Sequence, residues 1–443
     1  MTAKITIIGT GYVGLVSGAC FSALGHDVIC VDQDRRKIDM LNSGKLPIYE
    51  PGLDELVHRS VEQGTLHFST DTAASVKGRD AVFIAVGTPS DGPSGNADLR
   101  YVFGAAQDIA RALDKFTVII TKSTVPVGTN RRVFDNMLGE LGGDELFAVA
   151  SNPEFLREGV AIHDFMQPDR IVVGISDARA QAVLERIYAP LTSREIPFVV
   201  TNIETAEVIK YAANAFLAVK VSFINEVADL CEATGANVRD VAHGIGLDHR
   251  IGKAFLNTGP GWGGSCFPKD TRALLMTAQA SGVPARIVSA AMDANAQRKR
   301  SMIERIRAMC GGDLSGKRVA VLGVTFKGQT DDMRESPALD ILPGVVEAGA
   351  EVAAYDPSDP HEASNLLPSV KMVKSAVEAA THADLLVVMT DWMAFKSLDL
   401  VELSAVMRNR SMLDLRNLFT PDLAGKGGFQ TYRSLGESPS KAT

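Results

Sequence analysis

The chain of 443 residues has no long apolar run. A membrane-spanning helix needs roughly 18 consecutive apolar residues, and no segment reaches that length. The opening stretch, MTAKITIIGT, leads directly into a strand-like pattern and lacks the features of a signal peptide. We therefore expect a cytoplasmic protein that makes no contact with a membrane.

Cysteine is also scarce. The chain has five cysteines, at wide spacings: Cys20, Cys30, Cys231, Cys266 and Cys310. No CxxC pair and no histidine cluster accompanies them, which argues against a disulfide framework and against a zinc site, and no metal is expected. Cys20 and Cys30 lie in apolar segments typical of a core. Only Cys266 lies in a glycine-rich loop.

An excess of positive charge is absent as well. Lysine and arginine number 45 against 53 acidic residues, which gives a net charge of −8. This balance argues against nucleic-acid partners and anionic membranes, so anionic ligands must be held by local amides and single cations. The length exceeds what one hydrophobic core normally organises, and two or three domains are expected.

Apolar strand-like runs alternate with amphipathic helical stretches over the first 200 residues, a pattern that predicts a parallel α/β domain. The predicted strands are Lys4–Gly9, Asp27–Asp32, Leu66–Ser69, Ala81–Val86, Thr117–Thr121, Phe147–Ala150, Arg170–Ile175 and Pro197–Thr201. A long helix is predicted next, over Glu204–Gly235. Further predicted helices are Val238–Gly244, Thr271–Ser281 and Ala285–Met309.

A glycine-rich break at 311–316 precedes a second α/β pattern that echoes the first. Gly25–Asp32 resembles Gly349–Asp356, and Asp80–Val86 resembles Asp384–Thr390. The repeat predicts an α/β fold with two Rossmann-like doubly wound domains, joined by a long central helix and a small helical domain. The expected divisions are 1–203, 204–310 and 311–436, followed by a disordered tail at 437–443.

The segment GTGYVG, residues 9–14, follows a strand and opens a helix. Gly9 permits the tight turn, Gly11 lets the backbone approach a pyrophosphate, and Gly14 allows close helix packing. Asp32, at the end of the second strand, is placed to bind ribose hydroxyls, which favours NAD over NADP. The cations of Arg35, Arg36 and Lys37 are near enough to weaken that preference.

A second motif, GPGWGGSCFPKD, carries Cys266, Lys269 and Asp270. Its glycines can expose backbone amides, and a helix is expected to begin at Thr271. A helix N-terminus and Lys269 would both lower the pKa of the Cys266 thiol and make it a nucleophile. Asp270 is either catalytic or a helix cap, and Cys266 is either a nucleophile or structural.

Three further segments carry candidate site residues. Lys210 and Asn214 share one face of the long helix, where Lys210 either extends to solvent or serves a site. TKSTVPVG and SNPEFLREG each follow a strand, at the sheet edge where open α/β sheets bind ligands. Thr124, Glu154 and Glu158 are therefore candidates for positioning water or substrate, although acids near helix starts are equally common at surfaces.

Six segments, in this order, resemble those of the UDP-glucose/GDP-mannose dehydrogenase family: GTGYVGL, STVPVGT, NPEFLREG, KYAANAF, GGSCFPKD and GVTFKGQTDDMRESP. The resemblance implies two Rossmann-like domains joined by a central helix, with UDP bound mainly by the carboxyl-terminal domain. It also implies a homodimer or larger assembly. The implied activity is four-electron oxidation of the C6 alcohol of UDP-glucose to UDP-glucuronate, with NAD as cofactor.

The resemblance also implies individual roles. The implied catalytic residues are Cys266 as nucleophile, Lys210 and Asn214 as the alkoxide-stabilising pair, Asp270 for a catalytic water, and Thr124 and Glu158 to assist that water. The implied cofactor residues are Gly9, Gly11, Tyr12, Val13, Gly14, Asp32, Lys37, Thr88, Thr124, Glu158, Lys269 and Arg334. The implied substrate residues are Glu154, Phe155, Leu156, Arg157, Glu158, Lys210, Asn214, Arg250, Phe255, Leu256, Asn257, Thr258, Gly259, Gly263, Lys327 and Arg416.

Arg250 resembles the arginine that family members extend across the dimer interface toward the substrate. The AVGTPS segment around Thr88 departs from the Ala-Thr-Pro-Thr pattern of several relatives. The sequence leaves two alternatives open. One is a sibling enzyme for GDP-mannose or a UDP-N-acetylhexosamine, and the other is a silent NAD-binding protein in which Cys266 is a redox-regulated thiol.

Overall fold

The computed structural model describes residues 2–89, 97–360 and 362–437. The chain forms two compact units, a first unit that ends at Ala213 and a second unit that begins at Asn214. The boundary lies within one long helix, which belongs to both. The predicted divisions at 203/204 and 310/311 stay predictions.

The first unit is built on an eight-stranded sheet. Its strands are β1 (Lys4–Ile8), β2 (Asp27–Val31), β3 (Leu66–Ser69), β4 (Ala81–Ile84), β5 (Thr117–Thr121), β6 (Phe147–Ser151), β7 (Ile171–Ile175) and β8 (Phe198–Thr201). Their order is β3-β2-β1-β4-β5-β6-β7-β8, and all neighbours are parallel except β6 and β7. The central strands are buried along their whole length, which explains their continuous apolar sequence.

Helices surround this sheet. They are α1 (Tyr12–Ala23), α2 (Arg35–Asn42), α3 (Leu53–Glu62), α4 (Thr72–Val76), α5 (Arg100–Ala112), α6 (Thr129–Leu141), α7 (Ala161–Met166) and α8 (Ala178–Thr192). Two separate apolar clusters, one containing Ile7 and the other Ile8, show that the sheet is buried on two faces. The doubly wound prediction for this unit is confirmed.

The second unit begins within α9 (Ile203–Thr234) and continues through helices to another sheet. The helices before the sheet are α10 (Val238–Gly246), α11 (Phe267–Ala280) and α12 (Arg286–Met309). The strands are β9 (Arg318–Leu322), β10 (Glu351–Tyr355), β11 (Lys371–Met372), β12 (Leu385–Val388), β13 (Ser411–Asp414) and β14 (Thr431–Ser434). They are all parallel, in the order β11-β10-β9-β12-β13-β14. The accompanying helices are α13 (Pro337–Glu347), α14 (Ala363–Leu366), α15 (Ala376–Ala380), the 3-10 helix Met393–Ser397, α16 (Leu400–Val406) and α17 (Pro421–Lys426).

The internal repeat appears in both sheets as the same hydrogen bonds. Asp32 accepts a bond of 2.9 Å from the Thr10 amide after β1, and Asp356 accepts one of 2.8 Å from the Val324 amide after β9. At the opposite end of each sheet, Asp80 accepts a bond of 2.9 Å from the amide of Lys4 at the start of β1. Asp384 accepts a bond of the same length from the amide of Arg318 at the start of β9. Equivalent aspartates in the two units therefore bind equivalent backbone amides at both ends of the first strand of each sheet.

Most predicted strands and helices lie within two residues of the observed ones, but two predictions need correction. The helix predicted from Thr271 begins at Phe267, because Pro268 is well suited to the first helical turn. The predicted disordered tail begins at Glu437, yet this residue forms a β-bridge with Asn237. Residues 438–443 of that predicted tail lie outside the described residues.

The described segments lack a membrane-spanning helix, a metal-ligating cluster and a disulfide. Within residues 2–89, 97–360 and 362–437, no helix combines the length and apolarity needed to cross a bilayer. The same residues contain no cluster of three metal-ligating side chains. All five cysteines are free, and Cys20 and Cys30 are buried as predicted.

Two helical glycines provide a test of the packing in the first unit. A Cβ at Gly18 in α1 would overlap the Sγ of Cys30, whereas a Cβ at Gly104 in α5 meets no atom within 4 Å. Gly18→Ala should therefore reduce the free energy of unfolding by about 1–3 kcal/mol through overpacking. Gly104→Ala should increase it by about 0.5–1 kcal/mol because alanine has less backbone entropy to lose. Urea unfolding of both variants measures the difference, and equal effects would contradict this packing.

Candidate active site

The turn between β1 and α1 has the geometry of a dinucleotide site. Gly9 adopts a φ of +104°, and a Cβ there would lie 2.7 Å from the carbonyl oxygen of Ala85. A Cβ at Gly14 would overlap the carbonyl oxygen of Gly9, so α1 can pack this closely against the turn only because residue 14 is glycine. Gly11 has open space around its Cα. The turn therefore leaves room for a pyrophosphate at the start of α1, where Tyr12 and Val13 lie.

Asp32 lies at the end of β2 with its carboxylate already oriented. One oxygen accepts bonds from the amide and hydroxyl of Thr10, and the other accepts a bond of 2.9 Å from the Asp34 amide. Burial alone would raise the pKa of Asp32, but these bonds and Lys37 at 3.8 Å hold the pKa below its usual value. An ionised carboxylate has further lone pairs for ribose hydroxyls. These residues fit NAD. Arg36, one of the cations expected to weaken the preference for NAD over NADP, is paired with Asp34.

Two predicted cofactor residues meet at the carboxyl ends of β4 and β5. The Thr88 hydroxyl donates a bond of 3.0 Å to the backbone carbonyl of Thr124. Thr88 is buried and Thr124 is half-buried. The structure thus connects the loop whose sequence departs from the pattern of relatives to the STVPVGT loop.

Glu154 and Lys210 form a buried ion pair. The Lys210 Nζ donates to Glu154 Oε1 at 3.0 Å, and the two side chains are 3% and 6% exposed. Burial by itself raises the pKa of Glu154, but the Lys210 charge and the Leu156 amide bring it below the usual value. The Phe155 ring lies 5.4 Å from Lys210 Nζ and 3.6 Å from the Arg170 guanidinium. The alternative that Lys210 extends to solvent is wrong.

Lys122, in the TKSTVPVG segment, is a second buried lysine, although the sequence did not single it out. Its Nζ donates a bond of 3.1 Å to Asn152 Oδ1 and lies 5.7 Å from the centre of the Phe165 ring. Burial lowers the pKa of Lys122 to about 8, although the charge of Glu154 opposes this effect. Lysine is mostly a surface residue, so the TKST sequence offered no signal that this one is enclosed.

The loop that carries Glu158 is held by a residue that sequence reasoning also missed. Glu50 accepts bonds of 2.6 Å from the amides of Gly159 and Ala161, and the Tyr12 hydroxyl also donates to it. One buried carboxylate therefore ties the start of α1 to the loop after Glu158. Neighbouring Arg157 forms a pair of 2.6 Å with Asp164 and is largely exposed.

In the second unit, Cys266 lies at the N-cap of α11. Its Sγ is 3.5 Å from the Ser265 hydroxyl, and the residue is neither buried nor fully exposed. Gly264, at a φ of +85°, donates a bond of 2.9 Å to the carbonyl of Arg334. A Cβ at Gly263 would overlap the backbone of Glu335. The thiol therefore occupies a helix N-terminus at the end of a closely packed glycine loop.

Asp270 lies one turn into α11 with no exposed surface. Asn214 Nδ2 donates to one carboxylate oxygen at 2.6 Å, and Lys269 Nζ donates to the other at 2.8 Å. The N-cap position of α11 is occupied by Cys266, four residues before Asp270, so the capping alternative is wrong. The Lys269 ammonium is paired with Asp270, and its predicted effect on the thiol stays a prediction.

Several predicted substrate residues converge near the carboxyl edge of the second sheet. Arg416 donates to the carbonyls of Met389 and Phe326 at 2.8 and 2.9 Å. A Cβ at Gly259 would lie 3.1 Å from its guanidinium, so Gly259 and Arg416 are neighbours. Lys327 Nζ lies 5.6 Å from the centre of the Phe326 ring. A fixed cation beside a glycine is suited to an anionic ligand.

Other predicted residues are more dispersed. Phe255, with a φ of +62°, lies 6.0 Å from the Phe267 ring, and Thr258 accepts a bond of 3.1 Å from Asn417. Leu256 packs into a core cluster with Ile224, so its side chain serves packing. Three further predicted residues are exposed: Asn257, Arg250 paired with Asp248, and Arg334 paired with Asp332.

Comparison with known proteins identifies three consecutive matches to one family. The UDP-glucose/GDP-mannose dehydrogenase family models match as an NAD binding domain over residues 3–192, a central domain over 204–297 and a UDP binding domain over 320–421. Together they span most of the chain.

Individual relatives match over nearly their full length. A UDP-glucose 6-dehydrogenase from Rhizobium meliloti is 52% identical over 98% of this chain and 99% of its own. One from Bacillus subtilis is 44% identical over 99% and 94%. The solved UDP-glucose dehydrogenase from Pyrobaculum islandicum superposes with a TM-score of 0.90 at 36% identity, covering 99% and 98% of the two chains. A UDP-D-ManNAc dehydrogenase from Pyrococcus horikoshii gives 0.84 at 28%, covering 98% and 99%.

The buried amine of Lys122 predicts a pH-dependent stability difference. Between about pH 8 and 10.5, the unfolded state holds a proton on Lys122 that the folded state has released. Stability of the wild type should therefore rise with pH across this window, by at most about 1.4 kcal/mol per pH unit. Lys122→Met lacks this gain, so its stability relative to wild type should decline as pH rises. Urea unfolding at each pH measures this, with Lys77→Met at an exposed position as baseline; a constant difference would contradict the prediction.

Proposed function

Because the chain belongs to the UDP-glucose/GDP-mannose dehydrogenase family, we propose that it oxidises the C6 alcohol of UDP-glucose to the carboxylate of UDP-glucuronate. The observation that carries the proposal is the thiol of Cys266 at the start of α11, one turn before a buried Asp270 held by Asn214 and Lys269. Similarity to UDP-glucose 6-dehydrogenases over nearly the whole chain supports the choice of sugar nucleotide. The enzyme is an NAD-dependent oxidoreductase.

The first oxidation releases the proton of the C6 hydroxyl to water and removes a hydride from C6. NAD, when bound, supplies the acceptor for the hydride in each oxidation. We assign Gly9, Gly11, Gly14 and Asp32 to hold it, as their geometry fits a dinucleotide. Lys210 supplies positive charge, and Asn214 an amide donor, for the developing alkoxide. The Glu154 carboxylate keeps the ammonium of Lys210 oriented before the alkoxide forms.

The second oxidation requires that the aldehyde be retained. Addition of the Cys266 thiolate to the aldehyde carbon forms a C–S bond and a thiohemiacetal, whose oxygen Lys210 and Asn214 stabilise. Loss of a second hydride from that carbon leaves a thioester. Two hydrides leave the sugar in all, so each substrate molecule accounts for two NADH.

Hydrolysis of the thioester completes the reaction. Water adds to the thioester carbon, the C–S bond breaks, and the carboxylate and the thiol of Cys266 are released. We assign Asp270 to accept the proton of that water, and Thr124 and Glu158 to orient it. The buried, doubly hydrogen-bonded carboxylate of Asp270 supports this role, because a rigid acceptor requires little reorganisation during proton transfer.

Binding of the sugar nucleotide is assigned first to two cations of the second unit. The fixed guanidinium of Arg416 beside Gly259 supports a contact with the diphosphate, and Lys327 adds a second cation. The remaining assignments, implied by the resemblance, are Glu154–Glu158, Arg250, Phe255–Thr258 and Gly263 for the substrate, and Tyr12, Val13, Lys37, Thr88, Lys269 and Arg334 for the cofactor.

We further propose that the enzyme acts as a homodimer in the cytoplasm. Phe216, Phe223 and Leu230 on α9 recur every seven residues and are 65%, 52% and 60% exposed, so one face of the helix is apolar and uncovered. The exposed Arg250 is then available to a partner's substrate. Five free cysteines agree with a reducing compartment.

The covalent step is tested by Cys266→Ser. The wild type should release two NADH per UDP-glucose consumed, whereas the variant should stop short of UDP-glucuronate because a serine hydroxyl is a far weaker nucleophile. NADH absorbance and product charge measure both quantities, and unchanged NAD binding by the variant is the control. Parallel assays use UDP-N-acetylglucosamine, UDP-N-acetylmannosamine and GDP-mannose. Faster turnover of one of these would replace the substrate assignment, and normal turnover by the variant would remove the thiol mechanism.

The dimer is tested by Phe223→Glu, which places a charge in the apolar face of α9. We expect dissociation to monomers in analytical ultracentrifugation, accompanied by loss of activity because Arg250 no longer reaches a partner's substrate. Tyr101→Glu, at an equally exposed aromatic residue on α5, is the matched control and should stay dimeric. A dimeric Phe223→Glu protein, or a fully active monomer, would overturn this proposal.

A further inference from the structure

The loop that leads to Cys266 is attached at one residue to the middle of α12. Asn295 accepts a bond of 2.8 Å from the amide of Trp262, and its Nδ2 donates a bond of 3.0 Å to the carbonyl of the same residue. One side-chain amide thus satisfies both backbone groups of Trp262, as a neighbouring β-strand would. Asn295 is 6% exposed and Trp262 is 8% exposed, so neither backbone group can rely on bulk water.

The surroundings of this pair make it hard to replace. Gly261 has a φ of +131°, and a Cβ there would come within 3.0 Å of Asn295 Oδ1, so the loop backbone lies directly against the amide. The Trp262 indole donates a bond of 2.9 Å to Ser222 on α9, whose hydroxyl donates to the Ala291 carbonyl on α12. Trp262 is therefore oriented by its side chain and its backbone together.

The same attachment reaches the nucleophile through a short, restricted segment. Gly263 packs on the backbone of Glu335, and Gly264 donates to the carbonyl of Arg334 at 2.9 Å. Only Ser265 then separates this fixed backbone from Cys266 at the start of α11. Trp262 and Cys266 are only four residues apart, so a displacement of the Trp262 backbone is expected to move the thiol as well.

We propose that Asn295 is a positioning residue for the Cys266 thiol: its paired hydrogen bonds with Trp262 set the path of the nucleophile loop. The proposal rests on the role of Cys266 in the proposed function. Misplacement of a reacting group by about 1 Å reduces rates by around 100-fold, so a modest movement of this loop is sufficient to impair the covalent step.

Asn295→Asp is the sharpest variant, because it keeps the size of the side chain and the acceptor for the Trp262 amide. It removes the donor and puts a carboxylate oxygen against the Trp262 carbonyl. We expect kcat to fall by about 10- to 100-fold with the KM for NAD unchanged. The rate of Cys266 alkylation by iodoacetamide, followed by peptide mass spectrometry without substrate, should change by at least about tenfold.

Ile306→Ala is the matched control, since Ile306 is fully buried in the core further along α12 and lies away from the loop. It should lower thermal stability and leave kcat and Cys266 alkylation near wild type when measured well below the unfolding midpoint. Ser222→Ala, which removes the indole bond and the bond to the Ala291 carbonyl but keeps both bonds of Asn295, is a milder second variant if Asn295→Asp does not fold; its alkylation rate should shift in the same direction.

The outcomes separate the two proposals. Wild-type alkylation and kcat in a folded Asn295→Asp protein would overturn the positioning role while leaving the dehydrogenase function in place. Equal changes in Asn295→Asp and Ile306→Ala would also overturn it, because they would reflect lost stability alone. If the wild type releases no NADH from any nucleotide sugar, the proposed function fails, and the alkylation difference still tests the loop.

Discussion

The ion pair between Glu154 and Lys210 is the contact around which the candidate site residues of the first unit are organised. Enclosing an ammonium away from water is unfavourable unless a carboxylate lies against it, and the 3.0 Å contact provides that partner. Glu154 in turn depends on the Leu156 amide, and the nearby Lys122 adds a second enclosed cation. Positive charge can therefore be kept ready at the carboxyl end of β6 without solvent access.

The second unit solves a comparable problem with a different set of groups. Asp270 is enclosed, and its two oxygens are occupied by the amide of Asn214 and the ammonium of Lys269. In the nucleophile loop, the backbone amides of Gly259 and Trp262 donate to Asn225 and Asn295, and the Trp262 indole donates to Ser222. Glycine makes the close packing possible but leaves the backbone many conformations. Polar side chains of α9 and α12 restrict it to one of them.

The pattern of apolar residues predicts most of the strands and helices, because buried parallel strands are continuously apolar in sequence. The internal repeat independently predicts the second sheet. The antiparallel pairing of β6 with β7 was not predicted, since strand direction depends on the connection and not on the strand's own residues. The start of α11 was placed four residues late because the glycine-rich loop obscured the role of Pro268. Motif residues such as Asp32, Lys210 and Asp270 were found from their sequence context.

The residues that support those motifs could not be found in the same way. Glu50, Lys122 and Asn295 lie far along the chain from the groups they contact, and each has a common surface role elsewhere in proteins. The sequence by itself determined the family, the doubly wound fold and the chemical groups of the site, because these follow from local spacing and composition. Only the tertiary structure decided which charges are enclosed and which amides hold the loops, since burial and pairing arise when distant segments pack together.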